Sequence, residues 1–233
     1  MNKVLLLTVS LLFMQLPCSL HSQSIDKMMV RYSILKDESA SAKREVYLTS
    51  YTDLYVDDYM VYKKKKHPVT YIDSYAWYGD NNLRSIRLPK YVDVIGVEAF
   101  RECSSLRKCI FPDELRIVGQ WSFASTKLDS ACFGEKLEWI DKYAFYRSGI
   151  RYVHIPKTIY PVQISDCAFR HTCSLLIFKI DLPYPPIISD NVFADANMFA
   201  KLIVPYGSKK EYERSSGWNR FKIIEECDSI IKR

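Results

Sequence analysis

Leu83-Arg84-Ser85-Ile86-Arg87-Leu88-Pro89, followed six residues later by Ile95-Gly96-Val97-Glu98-Ala99-Phe100, is one unit of a pattern that governs most of this chain. The second half returns as Ile72-Asp73-Ser74-Tyr75-Ala76-Trp77, Val118-Gly119-Gln120-Trp121-Ser122-Phe123 and Ile140-Asp141-Lys142-Tyr143-Ala144-Phe145. It returns again as Ile164-Ser165-Asp166-Cys167-Ala168-Phe169 and Ile188-Ser189-Asp190-Asn191-Val192-Phe193. The closing aromatics stand at 77, 100, 123, 145, 169 and 193, in steps of 23, 23, 22, 24 and 24. A fixed period of about 20–29 residues with apolar positions in register marks a solenoid of stacked repeats. Such an architecture makes broad surfaces rather than closed pockets, which already shapes what functions to look for.

The first half, Leu-x-x-Ile-x-Leu-Pro, recurs at Leu106 to Pro112 and Ile150 to Pro156, and less cleanly at Leu128 to Gly134 and Leu175 to Ile180. It reads as a strand ended by proline, which lacks the amide proton a ladder needs. In the six-residue phrase the aliphatic residue and the aromatic are expected to point inward, so that one ring per coil stacks on the last. Gly96, Gly119, Asp73 and Asp141 hold the second position, where the pattern predicts a turn. Glycine takes positive φ there without cost, and aspartate can bond its own backbone. Cys103 shares its place with Thr126, Ser148 and Thr172, so a small buried residue is expected, with the thiol unbridged.

The fold class is therefore a leucine-rich-repeat solenoid, β-rich with short helical or 3-10 turns, its parallel strands stacked coil on coil. Residues 1–22 read as a signal peptide, with basic Lys3 before an apolar run from Val4 to Leu16. Residues 23–68 read as an N-terminal β-rich cap, since Val30–Leu35, Glu45–Tyr51 and Tyr59–Tyr62 alternate polar and apolar residues around a polar loop at Lys36–Lys43. Residues 69–200 form about six coils, and 201–233 a C-terminal cap. In that cap Leu202-Ile203-Val204-Pro205 gives a final strand, and Ser208 with Glu211 forms a capping box for one short helix.

The leader places the protein outside the cytoplasm, secreted or at the cell surface, with a lipid anchor on Cys18 as the alternative. Export permits disulfides, and Cys167 with Cys173 is the pair one coil brings near. The formal charge of +6 owes four positive charges to Lys63-Lys64-Lys65-Lys66, which reads as a solvated loop rather than a nucleic-acid site.

These units resemble the BspA-like leucine-rich repeats of exported and surface proteins from Bacteroides-type bacteria, spirochaetes and some protists. The resemblance is carried by Leu83-x-x-Ile86-x-Leu88-Pro89-x-x-Val92-x-x-Ile95-Gly96-x-x-Ala99-Phe100-x-x-Cys103. The tail carries it too, through Leu202-x-Val204-Pro205-x-Gly207-Ser208, Tyr212 and Gly217-Trp218-x-x-Phe221. It covers about residues 53–226 and implies a right-handed solenoid that binds matrix or host proteins in adhesion. Asp73 and Asp141 in place of glycine, Gly134 in place of proline, and two extra residues around Ile159 to Gln163 depart from it.

Side chains alternate along a strand, so each coil presents an outward pair: Ser85 and Arg87, Lys108 and Ile110, Ser130 and Cys132, Tyr152 and His154, Ile177 and Lys179. Ser85, Arg87, Lys108, Ile110, Tyr152, His154, Ile177 and Lys179 form the candidate partner-binding face. The expected partner is an extracellular protein or a glycan, not a nucleic acid, and the chain is expected to be a monomer without a membrane span in its mature form. A self-assembling envelope component is the alternative.

Catalysis is not expected. His67, His154 and His171 stand alone, and no nucleophile elbow, phosphate loop or zinc-type helix appears. Cys132 and His154 fall on adjacent coils but lack an evident orienting acid. No catalytic residue, cofactor or metal is assigned. Asp57-Asp58 and Asp190-Asn191 read as loop residues, with calcium binding as the alternative.

Overall fold

The computed structural model describes residues 30–44 and 51–227; the signal peptide expected over residues 1–22 lies outside them. Among the described residues five strands come first: β1 (Val30–Ile34), β2 (Ala40–Arg44), β3 (Asp53–Tyr55), β4 (Tyr59–Tyr62) and β5 (Lys65–Ile72). Each coil then adds a pair, β6 (Ser85–Arg87) with β7 (Val94–Ile95), β8 (Lys108–Ile110) with β9 (Ile117–Val118), and β10 (Ser130–Cys132) with β11 (Trp139–Ile140). Next come β12 (Tyr152–Ile155) with β13 (Gln163–Ile164), then β14 (Ile177–Ile180) and β15 (Lys201–Pro205). Helix α1 (Lys209–Arg214), a 3-10 turn at Trp218–Arg220 and β16 (Ile223–Cys227) complete it. The result is a parallel β-solenoid of about seven turns.

One side of the solenoid carries the strands of the Leu-x-x-Ile motif, as β3-β6-β8 and β10-β12-β14-β15-β16. A second parallel sheet, β5-β7-β9-β11-β13, runs through the first residues of the repeated phrase, where the pattern predicts a turn. Gly96 and Gly119 are therefore not at positive φ. They are small because the coils touch there: a Cβ on Gly119 would lie 2.5 Å from the Ile95 carbonyl oxygen, and one on Gly96 2.6 Å from the Ser74 nitrogen.

The left-handed residues sit elsewhere, at the fourth position of the phrase (Tyr75, Glu98, Trp121, Tyr143, Cys167) and two beyond the aromatic (Gly79, Glu102, Ser125, Arg147, His171, Asp195). The reason lies in the third side of the coil. Phe123 N–H donates to the Ala144 carbonyl at 2.8 Å, flanked by Trp121 to Lys142 at 3.1 Å and Ser125 to Tyr146 at 2.8 Å. Alternating left- and right-handed residues turn every second amide toward the next coil. An L-residue pays roughly 1–2 kcal/mol for that conformation, offset by satisfying an otherwise orphaned buried amide.

The expected aromatic column is present. Trp77, Phe100, Phe123, Phe145, Phe169 and Phe193 are all fully buried. Successive ring centroids are 5.3, 5.1, 5.5, 5.1 and 5.6 Å apart, with planes within 15° of parallel. Cys103 is buried and donates to the Trp77 carbonyl at 2.9 Å, while Thr126 and Thr172 donate to the carbonyls of Phe123 and Phe169 in their own coils. Burial pushes the Cys103 thiol up to about 12. Cys167 and Cys173 are free thiols, the first buried and the second exposed.

The caps depart from expectation in detail. The polar loop predicted at Lys36–Lys43 is shorter, because Ala40, Ser41 and Ala42 enter β2, which pairs antiparallel with β1 and parallel with β5. The strand predicted at Glu45–Tyr51 falls mostly outside the described residues, and Tyr51 belongs to no strand. The lysine run is solvent-exposed as expected, and forms a hairpin: Lys63 and Lys64 turn at φ 48° and 67° between β4 and β5, while Lys65 and Lys66 begin β5. At the other end β15 is not the last strand, since β16 pairs with it in parallel. Ser208 makes no side-chain cap; the amide of Lys209 instead donates to Glu226 at 2.9 Å. Trp218 and Phe221 close the column against Phe193, at 5.3 and 5.0 Å.

The position held by Cys103, Thr126, Ser148 and Thr172 is occupied in the first coil by Asp80, which is 1% exposed. It accepts from the Tyr51 hydroxyl and pairs with Arg44 at 3.1 Å. Its other oxygen accepts from the amides of Asn82 and Leu83 at 3.0 and 3.3 Å. A buried carboxylate with a cation and three hydrogen-bond donors thus ties the N-terminal cap to the first coil.

Candidate functional site

The outward pairs expected from alternation stand in register on the first side. Asp53, Ser85 and Lys108 form one row and Tyr55, Arg87 and Ile110 another, with Leu54, Ile86 and Cys109 buried beneath. Past β8 the ladder breaks into a second sheet, where Ser130, Tyr152, Ile177 and Lys201 form one row. Cys132, His154, Lys179, Ile203 and Glu225 form the other. The structure therefore divides the candidate residues: Ser85, Arg87, Lys108 and Ile110 lie on one sheet, and Tyr152, His154, Ile177 and Lys179 on the next.

Over the first sheet lies a shallow depression of about 260 Å³, lined by Asp53, Tyr55, Ser85, Arg87, Lys108 and Ile110. The Arg87 guanidinium sits 4.4 Å from the centre of the Tyr55 ring, a cation–π contact that fixes both side chains. Asp53 accepts from the hydroxyls of Ser85 and Thr52, and these bonds hold its carboxyl below the ordinary value. Asp53 and Tyr55 escape sequence reading because β3 lacks the Leu-x-x lead that marks the later strands. Their signal is only Leu54 flanked by two outward residues.

On the second sheet His154 Nε2 donates to Asp181 at 2.7 Å, and Lys179 lies 3.5 Å from the other carboxylate oxygen. Burial works to raise the Asp181 pKa, yet the His154 bond and nearby cations carry it below the usual range. Asp181 occupies the place of the strand-ending proline in other coils, so repeat alignment alone conceals it. It supplies the orienting acid that sequence reading lacked for His154. Cys132, opposite His154, has its pKa raised by burial, the reverse of what an activated thiolate needs. The basic stripe is partly neutralised by these carboxylates, and further along Lys201 pairs with Glu225 at 3.0 Å.

The loop carboxylates serve the fold. Asp58 accepts from the Lys90 amide at 2.9 Å, and Asp190 from the Ser216 hydroxyl at 2.6 Å. No cluster of three or more His, Cys, Asp or Glu able to hold a metal occurs among the described residues. Among them, too, no helix is long and apolar enough to cross a membrane.

Short parallel strands stacked at this period, over an inward file of leucine, isoleucine and phenylalanine, define a leucine-rich-repeat protein. The BspA type leucine rich repeat region matches in six copies across residues 68–208, and the chain belongs to that family. A leucine-rich repeat protein from Bacteroides ovatus superposes with a TM-score of 0.60 at 23% identity, over 77% of this chain and 55% of its own. The chain thus spans little more than half of that relative. A T. pallidum leucine-rich repeat protein superposes at 0.58 with 20% identity, over 86% and 81% of the two chains. Both share the fold. No curated protein matches the chain.

Proposed function

We propose that the protein is an exported, non-catalytic binding protein of adhesion type that engages a macromolecule through the strand ladder of its first side. The observation that carries this reading is the depression over β3, β6 and β8. There Tyr55, Arg87 and Ile110 stand side by side in register, and Tyr55 and Ile110 leave 43% and 46% of their surface exposed. Tyrosine and arginine next to an exposed aliphatic is the composition of interaction hot spots, and a row of such residues on adjacent strands offers a flat template to a protein segment. Lys108 beside them favours an acidic one. Export rests on the leader-like residues 1–22, and family membership supports a surface role.

The test is solid-phase or interferometric binding of the mature protein to a panel of extracellular-matrix proteins, with Arg87→Glu/Lys108→Glu/Lys179→Glu as comparison. A bound partner should lose at least about tenfold in affinity, or roughly 1.4 kcal/mol. Undiminished binding by a variant whose melting curve is unchanged would remove the ladder from the function.

A further inference from the structure

The sheet β5-β7-β9-β11-β13, on the other side of the solenoid from the candidate face, carries a groove of about 1250 Å³ on its outer side. Tyr59 and Tyr91 stand at one end and Ile159, Tyr160 and Pro161 at the other. Between them the groove crosses β5, β7, β9, β11 and β13, which at the usual spacing is roughly 19 Å. The far wall exists because of the two additional residues near Ile159, which lift Ile159 and Tyr160 to 60% and 53% exposure.

Its floor is a polar ladder in strict register. The amide of Asp93 donates to the Thr70 carbonyl, that of Arg116 to Asp93, that of Glu138 to Arg116 and that of Gln163 to Glu138, at 2.9, 2.8, 2.9 and 2.8 Å. The side chains on this floor are held in place. Arg116 grips Glu138 with two bonds of 2.8 and 3.0 Å, and Lys136 reaches Glu114 at 2.5 Å. Burial raises the Asp93 carboxyl. Above the ladder Trp139 leaves 40% of its surface exposed, with its indole N–H fixed to the Ser165 hydroxyl at 2.8 Å. Tyr59 and Tyr91 hold each other by a hydroxyl bond and an edge-on ring contact of 5.1 Å.

We propose that this groove is a binding site for a neutral oligosaccharide. Three properties select that ligand. The exposed indole of Trp139, fixed by its bond to Ser165, and the exposed ring of Tyr160 offer platforms for the apolar C–H face of a sugar ring, and the fixed indole has little rotamer entropy left to lose. The paired carboxylates and cations present acceptors and donors side by side, which suits hydroxyl groups that both give and take hydrogen bonds. The charges are mixed, with Asp93, Glu114 and Glu138 on the floor set against Arg116 and Lys136, and Lys66 and Lys90 lying over the tyrosine rings at one end, so the groove presents no field of a single sign to a strongly charged chain. An extended peptide cannot add here as a strand, because the floor amides already bond to neighbouring coils. An apolar helix would bury ion pairs without replacing their water. The groove lies on a different sheet from the ladder, so the two sites fail or succeed separately.

The test is isothermal titration with neutral linear tetrasaccharides of glucose, mannose, xylose and N-acetylglucosamine, accompanied by tryptophan fluorescence. At least one should bind at micromolar to millimolar concentration, and Trp139→Ala and Tyr160→Ala should each weaken it by about tenfold or more. Tyr160→Ala should keep the wild-type melting curve, Trp139→Ala should melt modestly lower but stay folded at the titration temperature, and the Arg87/Lys108/Lys179 reversal should leave binding intact. Absence of binding by all four sugars, or binding that survives the Trp139→Ala/Tyr160→Ala double variant, would overturn the assignment. So would preferential capture of heparin or of an acidic peptide by this groove.

Discussion

Replacing Phe123 by alanine probes the assumption on which the architecture rests, that each coil is held by one ring laid on the next. The Phe123 side chain is fully buried between Phe100 at 5.1 Å and Phe145 at 5.5 Å, with Phe111 edge-on at 5.4 Å. Loss of its burial removes about 1.5–3 kcal/mol, and aromatic pair energies add about 0.5–1.5 kcal/mol beyond area. The cavity adds more where the walls cannot collapse, and two rigid rings and an inter-coil amide ladder leave little room to do so. The expected cost is roughly 3–5 kcal/mol. For a domain of this size that corresponds to a fall of about 6–20 °C in melting temperature. Because solenoid stability is a sum over neighbouring units, hydrogen exchange should quicken first at the amides of Phe100 and residue 123, which bond to the Ser122 and Ala144 carbonyls across the two interfaces of the altered coil. Urea unfolding of Phe123→Ala against Phe199→Ala, a ring that is 73% exposed, supplies the comparison. A Phe123→Ala cost below about 1 kcal/mol, no larger than that of the surface control, would refute the stacked column as the source of cohesion.

Asp80→Ala should cost about 1–3 kcal/mol by leaving the Tyr51 hydroxyl and the amides of Asn82 and Leu83 without their acceptor, with limited proteolysis showing cleavage near residue 44 before any cut within the coils. Gly119→Ala should destabilise by at least about 1–3 kcal/mol through backbone overlap, more than Gly79→Ala, where a Cβ meets nothing within 4 Å and only the left-handed φ of +66° resists; paired thermal melts decide it. Iodoacetamide at pH 8 should label Cys132 and Cys173 in the native protein while sparing Cys103 and Cys109, whose thiols burial holds protonated, as peptide mass mapping would show. Asp181 and Asp93 should respond to pH with opposite signs. The Asp181 pKa is lowered in the fold, so its contribution is present above about pH 4 and lost as pH falls through the folded value. The melting gap between wild type and Asp181→Asn should narrow in acid. The Asp93 pKa is raised by burial, so its contribution is present in acid and lost as pH rises, and Asp93→Asn should melt higher than wild type at pH 7.

The column was legible because its signal is covalent in spacing: a large ring every 22 to 24 residues can only be a stacking position once the apolar register repeats with it. The outward pairs were legible for the same reason, strand alternation being a two-residue rule. What escaped was whatever depends on contacts between coils. Gly96 and Gly119 look like turn glycines in one dimension, yet their smallness answers to the carbonyl of the coil before. Bulky Tyr75, Trp121 and Tyr143 carry the left-handed conformation instead, contrary to residue preference, because the amide ladder outweighs the local cost. Asp80 and Asp181 hid in plain repeat positions, one where threonine belongs and one where proline belongs, and only the fold reveals the cations beside them. The groove floor, Thr70, Asp93, Arg116 and Glu138, was invisible for a further reason. Asp93, Arg116 and Glu138 each stand just before a strand of only two residues, too short for alternation to register.

A solenoid with parallel sheets on two of its sides separates its surfaces by construction. The inward residues of both sheets, such as Ile86 and Ile95 of one coil, are spent on a common core, and what remains outward on one sheet cannot touch what remains outward on the other. Substitutions more than about 7–10 Å apart with no shared partner add independently. A charge reversal at Arg87 should therefore leave the Trp139 groove unaltered, and loss of Trp139 should leave the ladder unaltered. The exception is any change that shifts a coil bodily, since Asp93 shares a coil with Arg87 and hydrogen-bonds to the coils on either side, and Gly96 bonds to the coil before. Binding at both faces by the double-site variants, measured alongside Gly119→Ala, separates the two cases. Side-chain changes should affect one ligand at a time, whereas the backbone change at Gly119 should weaken both.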